Sequence, residues 1–221
     1  MSCSQCLGIE RQFDVAVARR QLKRYRRKGP SKMTRRLLDA LVSEGASGAS
    51  FLDVGGGVGA VQHGLIEAGA AVGTSVDAAT AYLTAAREEA EARGYADRMR
   101  FLTGDIVEVQ DDVEPADLVA LDRVVCCYHD MPALVDASAS KARRAYGLVY
   151  PRDTRLVKLA IGLLNLVQRL RRHPFRAFVH ATADVEARVE SHGLRRVFLE
   201  HSVLWQTAVF RRQAEPVADG A

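Results

Sequence analysis

Nine residues, Phe51-Leu52-Asp53-Val54-Gly55-Gly56-Gly57-Val58-Gly59, constrain this chain more than any other stretch. Phe51, Leu52 and Val54 predict a short buried strand, and the glycines after it allow a tight turn. Glycine takes positive φ and has no Cβ, so a ligand can come close to the backbone. The apolar spacing of Val58, Val61, Leu65 and Ile66 then predicts a helix opening straight out of the loop. Strand, glycine turn and helix N-terminus together make a cradle for a nucleotide, although a glycine loop alone could be no more than a tight turn. The glycines at 55, 57 and 59 read G-x-G-x-G, not the G-x-G-x-x-G of dinucleotide sites. Asp53, two residues ahead of them, would repel a pyrophosphate but suits an ammonium group or a hydroxyl.

Further acidic residues recur at matching places. A second strand over residues 71–76 ends at Asp77, eighteen positions past Gly59, where a carboxylate can accept from both ribose hydroxyls. Asp77 could equally cap the helix predicted over 79–93. A third strand over 99–103 leads into Gly104-Asp105-Ile106, which could be only a turn. The fourth, 116–121, runs into Asp122-Arg123 and then Cys126-Cys127-Tyr128-His129-Asp130. Asp53, Asp77 and Asp105 put acids at three successive strand ends, a pattern that turns alone rarely produce, and the carboxyl ends of parallel strands are where such sheets bind ligands.

Asp53-Val54-Gly55-Gly56-Gly57-Val58-Gly59 is a complete D/E-x-G-x-G-x-G. With the order of elements after it, residues 45–212 resemble the class I S-adenosylmethionine-dependent methyltransferases. The resemblance implies a Rossmann-like α/β fold: a seven-stranded, mostly parallel sheet with helices on both faces and a C-terminal antiparallel hairpin. It implies S-adenosyl-L-methionine as cofactor and Asp53, Gly55, Gly57 and Gly59 as its first binding motif. Asp77 is then the ribose acceptor, Asp105 the acceptor for the adenine amino group, and the Ile106 N–H a contact to the ring. Asp122 would touch the cofactor or position the substrate, and Tyr25, from a helix over the site, would meet the methionine end unless it only packs. The segment after the fourth strand leaves the sheet beside the reactive methyl. Methyl transfer is an in-line displacement from a sulfonium, and many oxygen or nitrogen acceptors must also lose a proton. Histidine suits that work. His129 is thus a candidate base, its alternative being a capping or partner-bound histidine, and His180, at the end of an extended arm over 174–180, is a second. Arg123 would pair with a carboxylate.

With 221 residues, the chain suits one α/β domain, expected over 45–212, with an N-terminal helical extension over 1–44 and a disordered tail over 213–221. Residues 1–13 read as loosely ordered and carry no basic-then-apolar signal pattern. No run approaches the roughly 20 apolar residues of a membrane span, so a cytoplasmic enzyme is expected. The net charge is +4, but Lys and Arg fill residues 19–36 with no acid among them. A basic helix over 14–28, stopped by Gly29-Pro30, could be a solvated face or could meet an anionic partner; nucleic acid is disfavoured because only Tyr25 interleaves. Ser31 caps a second helix to about 44.

Cys3-x-x-Cys6 and Cys126-Cys127 do not form a disulfide framework. They read as a tail pair and two small buried residues, as a metal or metalloid site, or as redox groups; no metal is assigned. A helix over 132–143 precedes a fifth strand over 145–150. Residues 153–173 form an insertion whose helix, 156–170, is apolar on most sides and flanked by Arg152, Arg155, Lys158, Arg169, Arg171 and Arg172. It could be a lid over a greasy substrate pocket, a homodimer interface or a peripheral membrane contact. A helix over 182–192 capped by Thr182, then strands over 194–200 and 203–211, complete the sheet. The functional expectation is methyl transfer to the O, N or C atom of a small, hydrophobic molecule. Its rivals are a thiol-dependent, arsenite-type methyltransferase using Cys3, Cys6 and Cys127, and a non-catalytic module docking through the basic helix.

Overall fold

A computed structural model describes residues 4–213 of the chain. Among them, seven strands form one sheet: β1 (Ser50–Val54), β2 (Val72–Asp77), β3 (Met99–Thr103), β4 (Ala116–Asp122), β5 (Ala142–Pro151), β6 (Leu194–His201) and β7 (Trp205–Arg212). Their spatial order is β3-β2-β1-β4-β5-β7-β6. The first five run parallel, and β7 lies antiparallel between β5 and β6, which makes the expected Rossmann-like sheet with its terminal hairpin. The chain turns from one half of the sheet to the other between β1 and β4. Such a switch point opens a crevice at the carboxyl ends of the strands.

The alternation of side chains explains why helices cover both faces. Leu52, Val54, Val119, Leu121, Tyr146, Leu148 and Tyr150 point into one core, with Leu134 and Val135 of α7 (Met131–Ala139) and Val185 and Val189 of α9 (Thr182–Glu190). Phe51, Leu118, Ala120, Ala145 and Val149 point into the other, against Leu37 and Leu41 of α3 (Lys32–Ser43) and Val61 and Leu65 of α4 (Ala60–Glu67). Strands buried on both faces read as near-continuous apolar runs, as β1 and β4 do. α3 therefore forms part of the central packing. α2 (Val15–Lys28) lies instead against α5 (Thr80–Ala92), burying Ala18 and Leu22 beside Tyr82 and Ala85. Asp14 and Ser31 cap α2 and α3 by accepting from Val17 N–H and Thr34 N–H.

Three local expectations are corrected. Residues Ser4–Gln12, expected to be loose, form helix α1, whose Gly8 lies against the backbone of Pro174 and Phe175. α7 stops at Ala139 and β5 begins at Ala142, because Ala142 pairs with Ala116 and its carbonyl accepts from the Arg212 guanidinium. Pairing there outweighs the helix preference of Lys141 to Arg144. Ala181, not Thr182, is the N-cap of α9; the Thr182 hydroxyl donates to Asp153 and accepts from Gln206. Gln213 is bonded to Gly193, while the rest of the expected tail lies outside the described residues. A four-residue α6 (Ile106–Val109) and the exposed α8 (Arg155–Leu170) complete the elements.

Candidate active site

The carboxyl ends of β1, β2 and β4, with the loop after β3, surround a cavity of about 380 Å³. Its floor is the glycine loop. Gly55, Gly57 and Gly59 have φ of 63°, 58° and 81°, so the turn requires the left-handed region three times within five residues. A Cβ on Gly57 would meet nothing within 4 Å, which leaves open space above the loop. Asp77, the last residue of β2, lines the cavity and accepts from the Ala79 N–H at 2.8 Å and from the Gly57 N–H at 3.0 Å. The local turn and the tie to the glycine loop therefore coexist on one carboxylate. Burial raises its pKa to about 6. Asp105 caps α6 through Val107 N–H and also accepts from the Tyr128 hydroxyl at 2.7 Å. Ile106 lies beside it in the wall.

Asp53 sits differently. It pairs with Ser75 and Ala120 inside the sheet, one residue short of the end of β1, and is fully buried. Its carboxyl lies beneath Gly56 and outside the cavity lining. Among the described residues neither oxygen has a partner at hydrogen-bond geometry, the Gln62 backbone N–H standing nearby. Burial, then the Asp122 and Asp77 charges, raises its pKa to about 8, and the nearby Gln62 backbone N–H offsets this only in part. The sequence held the signal: Val54 follows Asp53 as a strand residue, so Asp53 falls within the strand.

The other side of the cavity is built by residues far apart in sequence. The Thr34 hydroxyl donates to Asp122 Oδ2 at 2.6 Å, and Arg123 Nη2 donates to Thr34 Oγ1 at 2.9 Å and to Ser31. Arg123 also pairs with Asp122 at 3.2 Å, as expected, and its guanidinium lies 5.7 Å from the centre of the Trp205 ring. Arg123 has a φ of 65°, unusual for a residue with a side chain. Thr34 and Trp205 escape a reading by motif because only the fold brings α3, β4 and β7 together. The roof is α1 and α2: Ile9, Phe13, Gln21, Arg24 and Tyr25 face the cavity. Tyr25 stands 5.3 Å from the buried His63 ring, which is bonded to the Tyr95 hydroxyl and the Val58 carbonyl.

His129 and His180 do not line the cavity, contrary to expectation. Tyr128 donates to the Asp105 carboxylate, while the His129 ring stacks on the Tyr128 ring at 5.8 Å and lies 6.5 Å from the Phe178 ring, outside the cavity lining. The arm bearing His180 is held from outside, with Phe178 N–H on the Cys126 carbonyl and His180 Nε2 2.8 Å from the Tyr128 carbonyl. No residue of α8 lines the cavity; the helix meets the roof where Gln168 donates to Gln12.

Cys126 and Cys127 do line it, with sulfurs 3.7 Å apart and both directed at the Arg123 carbonyl. The hydrogen bond from Cys126, then burial, pushes the Cys127 thiol well up. Among the described residues, no group of three or more His, Cys, Asp or Glu is placed to hold a metal ion. Cys3 and the side chain of Cys6 lie outside the described residues.

Residues 52–144 match the family model described as a methyltransferase domain. No curated protein matches the chain by sequence. Among solved structures, the chain is similar to the magnesium protoporphyrin IX methyltransferase of Synechocystis PCC 6803 with bound SAH. The two are 21% identical with a TM-score of 0.67, over 91% of this chain and 86% of that one. It is also similar to an O-methyltransferase family protein of Burkholderia thailandensis (15% identity, TM-score 0.68, 92% and 61% covered). A third is the O-methyltransferase family 2 protein of Planctomyces limnophilus in complex with apigenin (19%, 0.64, 90% and 62%). At these identities the structural likeness speaks for the fold.

Proposed function

We propose that this chain, which carries a class I S-adenosylmethionine-dependent methyltransferase domain, transfers a methyl group to a small, hydrophobic acceptor held between its N-terminal helices and Trp205. The observation that carries this reading is the division of one cavity into two chemically different halves. Asp77, Asp105, Ile106 and the glycine loop line one half. Trp205, Ser31 and the Thr34–Arg123 pair line the other. S-adenosylmethionine, when bound, supplies an electrophilic methyl on a sulfonium. Asp77 would hold its ribose, Asp105 and Ile106 its adenine, and Tyr25 its amino-acid end. The open space above Gly57 and the remaining lone pairs of Asp77 suit that role.

On the acceptor side, the Arg123 guanidinium, held by Asp122, Thr34 and Ser31, offers N–H donors and Trp205 a flat face, an arrangement suited to an aromatic or otherwise planar molecule carrying polar groups. Two of the similar structures have planar molecules in their names, magnesium protoporphyrin IX and apigenin. Asp122 is the carboxylate on this side, so it orients Thr34 and Arg123 and is placed to take a proton from a hydroxyl or amine acceptor. Nothing comparable is asked of His129 or His180. The insertion over 153–173 belongs to a contact outside the cavity. A second reading, thiol-dependent transfer to a metalloid, draws on the adjacent Cys126 and Cys127 sulfurs. Replacing both by Ser would abolish activity only under that reading.

Calorimetric titration with S-adenosylhomocysteine tests the first half. Asp77→Ala should weaken binding by about a hundredfold or more, the loss of charge-assisted hydrogen bonds to two hydroxyls. Unchanged affinity in the folded variant would remove the proposed cofactor site. The second half is tested by Asp122→Asn once a turned-over acceptor is found among hydrophobic acids and phenols. Its kcat should fall about a hundredfold, the usual size of acid–base assistance, with homocysteine-adduct affinity nearly kept. Loss of both would instead place Asp122 on the cofactor.

A further inference from the structure

We propose that α8 is a docking helix that seats this protein on an anionic lipid surface. A helix of a soluble protein turns its apolar stripe inward and its polar side to water. α8 does the reverse. Leu156, Leu159, Leu163, Leu166 and Leu170 recur every three or four residues on one side, and all are exposed, Leu159 by 74% and Leu170 by 75%. The side facing the protein holds the polar groups. The Asn165 amide bonds both the N–H and the carbonyl of Ala177, and Gln168 donates to Gln12. Val157 is the buried residue of the helix. α8 is thus anchored by Val157, Asn165 and Gln168, and these five leucines face away from the body.

Charge selects the occupant. Between Asp153 and Asp184 the chain contains no acidic residue, while Arg155, Lys158, Arg169, Arg171 and Arg172 border the leucine side and the end of the helix. On a helical wheel Arg155 and Arg169 fall next to the stripe, where an interfacial helix carries cations that meet lipid phosphates. Pairing two copies through this face would bring these cations together with no carboxylate between them. An anionic bilayer answers both the apolar stripe and the charge. A second apolar point adjoins it: Val203 and Leu204, exposed at the β6–β7 turn, lie beside Arg152, whose N–H donates to the Leu204 carbonyl.

The test is co-sedimentation of the full chain with vesicles of phosphatidylcholine mixed with phosphatidylglycerol, against phosphatidylcholine alone, at low and high salt. Binding is expected to the anionic vesicles and to weaken with salt. The double variant L159E/L163E should lose it, and Arg169→Glu should weaken it about fivefold or more, from about 1 kcal/mol per basic residue near the surface. These side chains are exposed, so circular dichroism should report an unchanged fold. Equal binding to neutral vesicles, or no binding to either, overturns the proposal. A dimer of the wild type in sedimentation velocity that L159E/L163E makes monomeric, with no vesicle binding, overturns it in favour of a second copy. The readout is lipid binding alone and holds whatever the acceptor proves to be.

Discussion

A carboxylate with both oxygens buried and unpartnered is expensive to ionise, and Asp53 is held in that state beneath the glycine loop. Its pKa in the folded protein, about 8, lies above the 3.8 of an exposed carboxyl, so the folded state keeps a proton that the unfolded chain has released. The associated stability is present at low pH and is lost as pH rises through about 8. Asp77, raised to about 6, acts in the same direction but is spent lower. His63, lowered to about 4 by burial and then by the Arg93 charge, works oppositely: its stability is present above 6.5 and lost as pH falls toward 4. The window from 6.5 to 8 therefore belongs to Asp53. Thermal unfolding of the unliganded protein should fall in midpoint across that window, and Asp53→Asn should flatten it. A wild-type midpoint that does not change there would mean that Asp53 is ionised and paired. Asp77, Asp105 and Asp122 were legible in the sequence because each stands at or just past a strand end. Asp53 stands one residue earlier, because Val54 still belongs to β1, and its carboxyl lies under the loop beside Gly56.

At the scale of elements, what could be read was what local sequence dictates. Strong caps set α2 and α3, and continuous apolar runs set the central strands. The misread elements are those decided by partners. α1 has little apolar period of its own and is helical where Gly8 meets Phe175, and the start of β5 is set by Arg212 seventy residues away. Tyr128, not His129, lines the cavity, and its bond to Asp105 joins the loops after β4 and β3, which no local sequence pattern links. One element contact makes a stringent test. Gly73 of β2 pairs with Phe51 of β1, and a Cβ at Gly73 would run into the Phe51 ring, itself buried at the centre of its core. Gly73→Ala should destabilise the fold by about 1–3 kcal/mol, as overpacking does. The midpoint of thermal unfolding would fall by about 2–4 °C for each of these. A midpoint within a degree of the wild type would mean that the Phe51 ring moves aside freely.

For the whole molecule, α1 is the layer between the proposed lipid-facing helix and the cavity. On one side Gln12 bonds Gln168 of α8, and the Phe13 ring meets Phe175 edge-on at 5.8 Å; on the other, Ile9 and Phe13 line the cavity. A seated α8 would hold this roof close to the lipid, so an acceptor dissolved in the bilayer could reach Trp205 without crossing water. This step rests on both the methyl-transfer reading and the docking of α8, and it is separable from each. With an acceptor offered in anionic vesicles, L159E/L163E should lower kcat/KM by about tenfold or more through lost residence at the surface. A water-soluble acceptor should be methylated at the wild-type rate by the same variant. Equal losses with both acceptors would show that α8 acts by supporting the roof rather than by placing it at the membrane. No loss with either would leave docking without a part in the reaction, because the acceptor would then be reaching the cavity from solution.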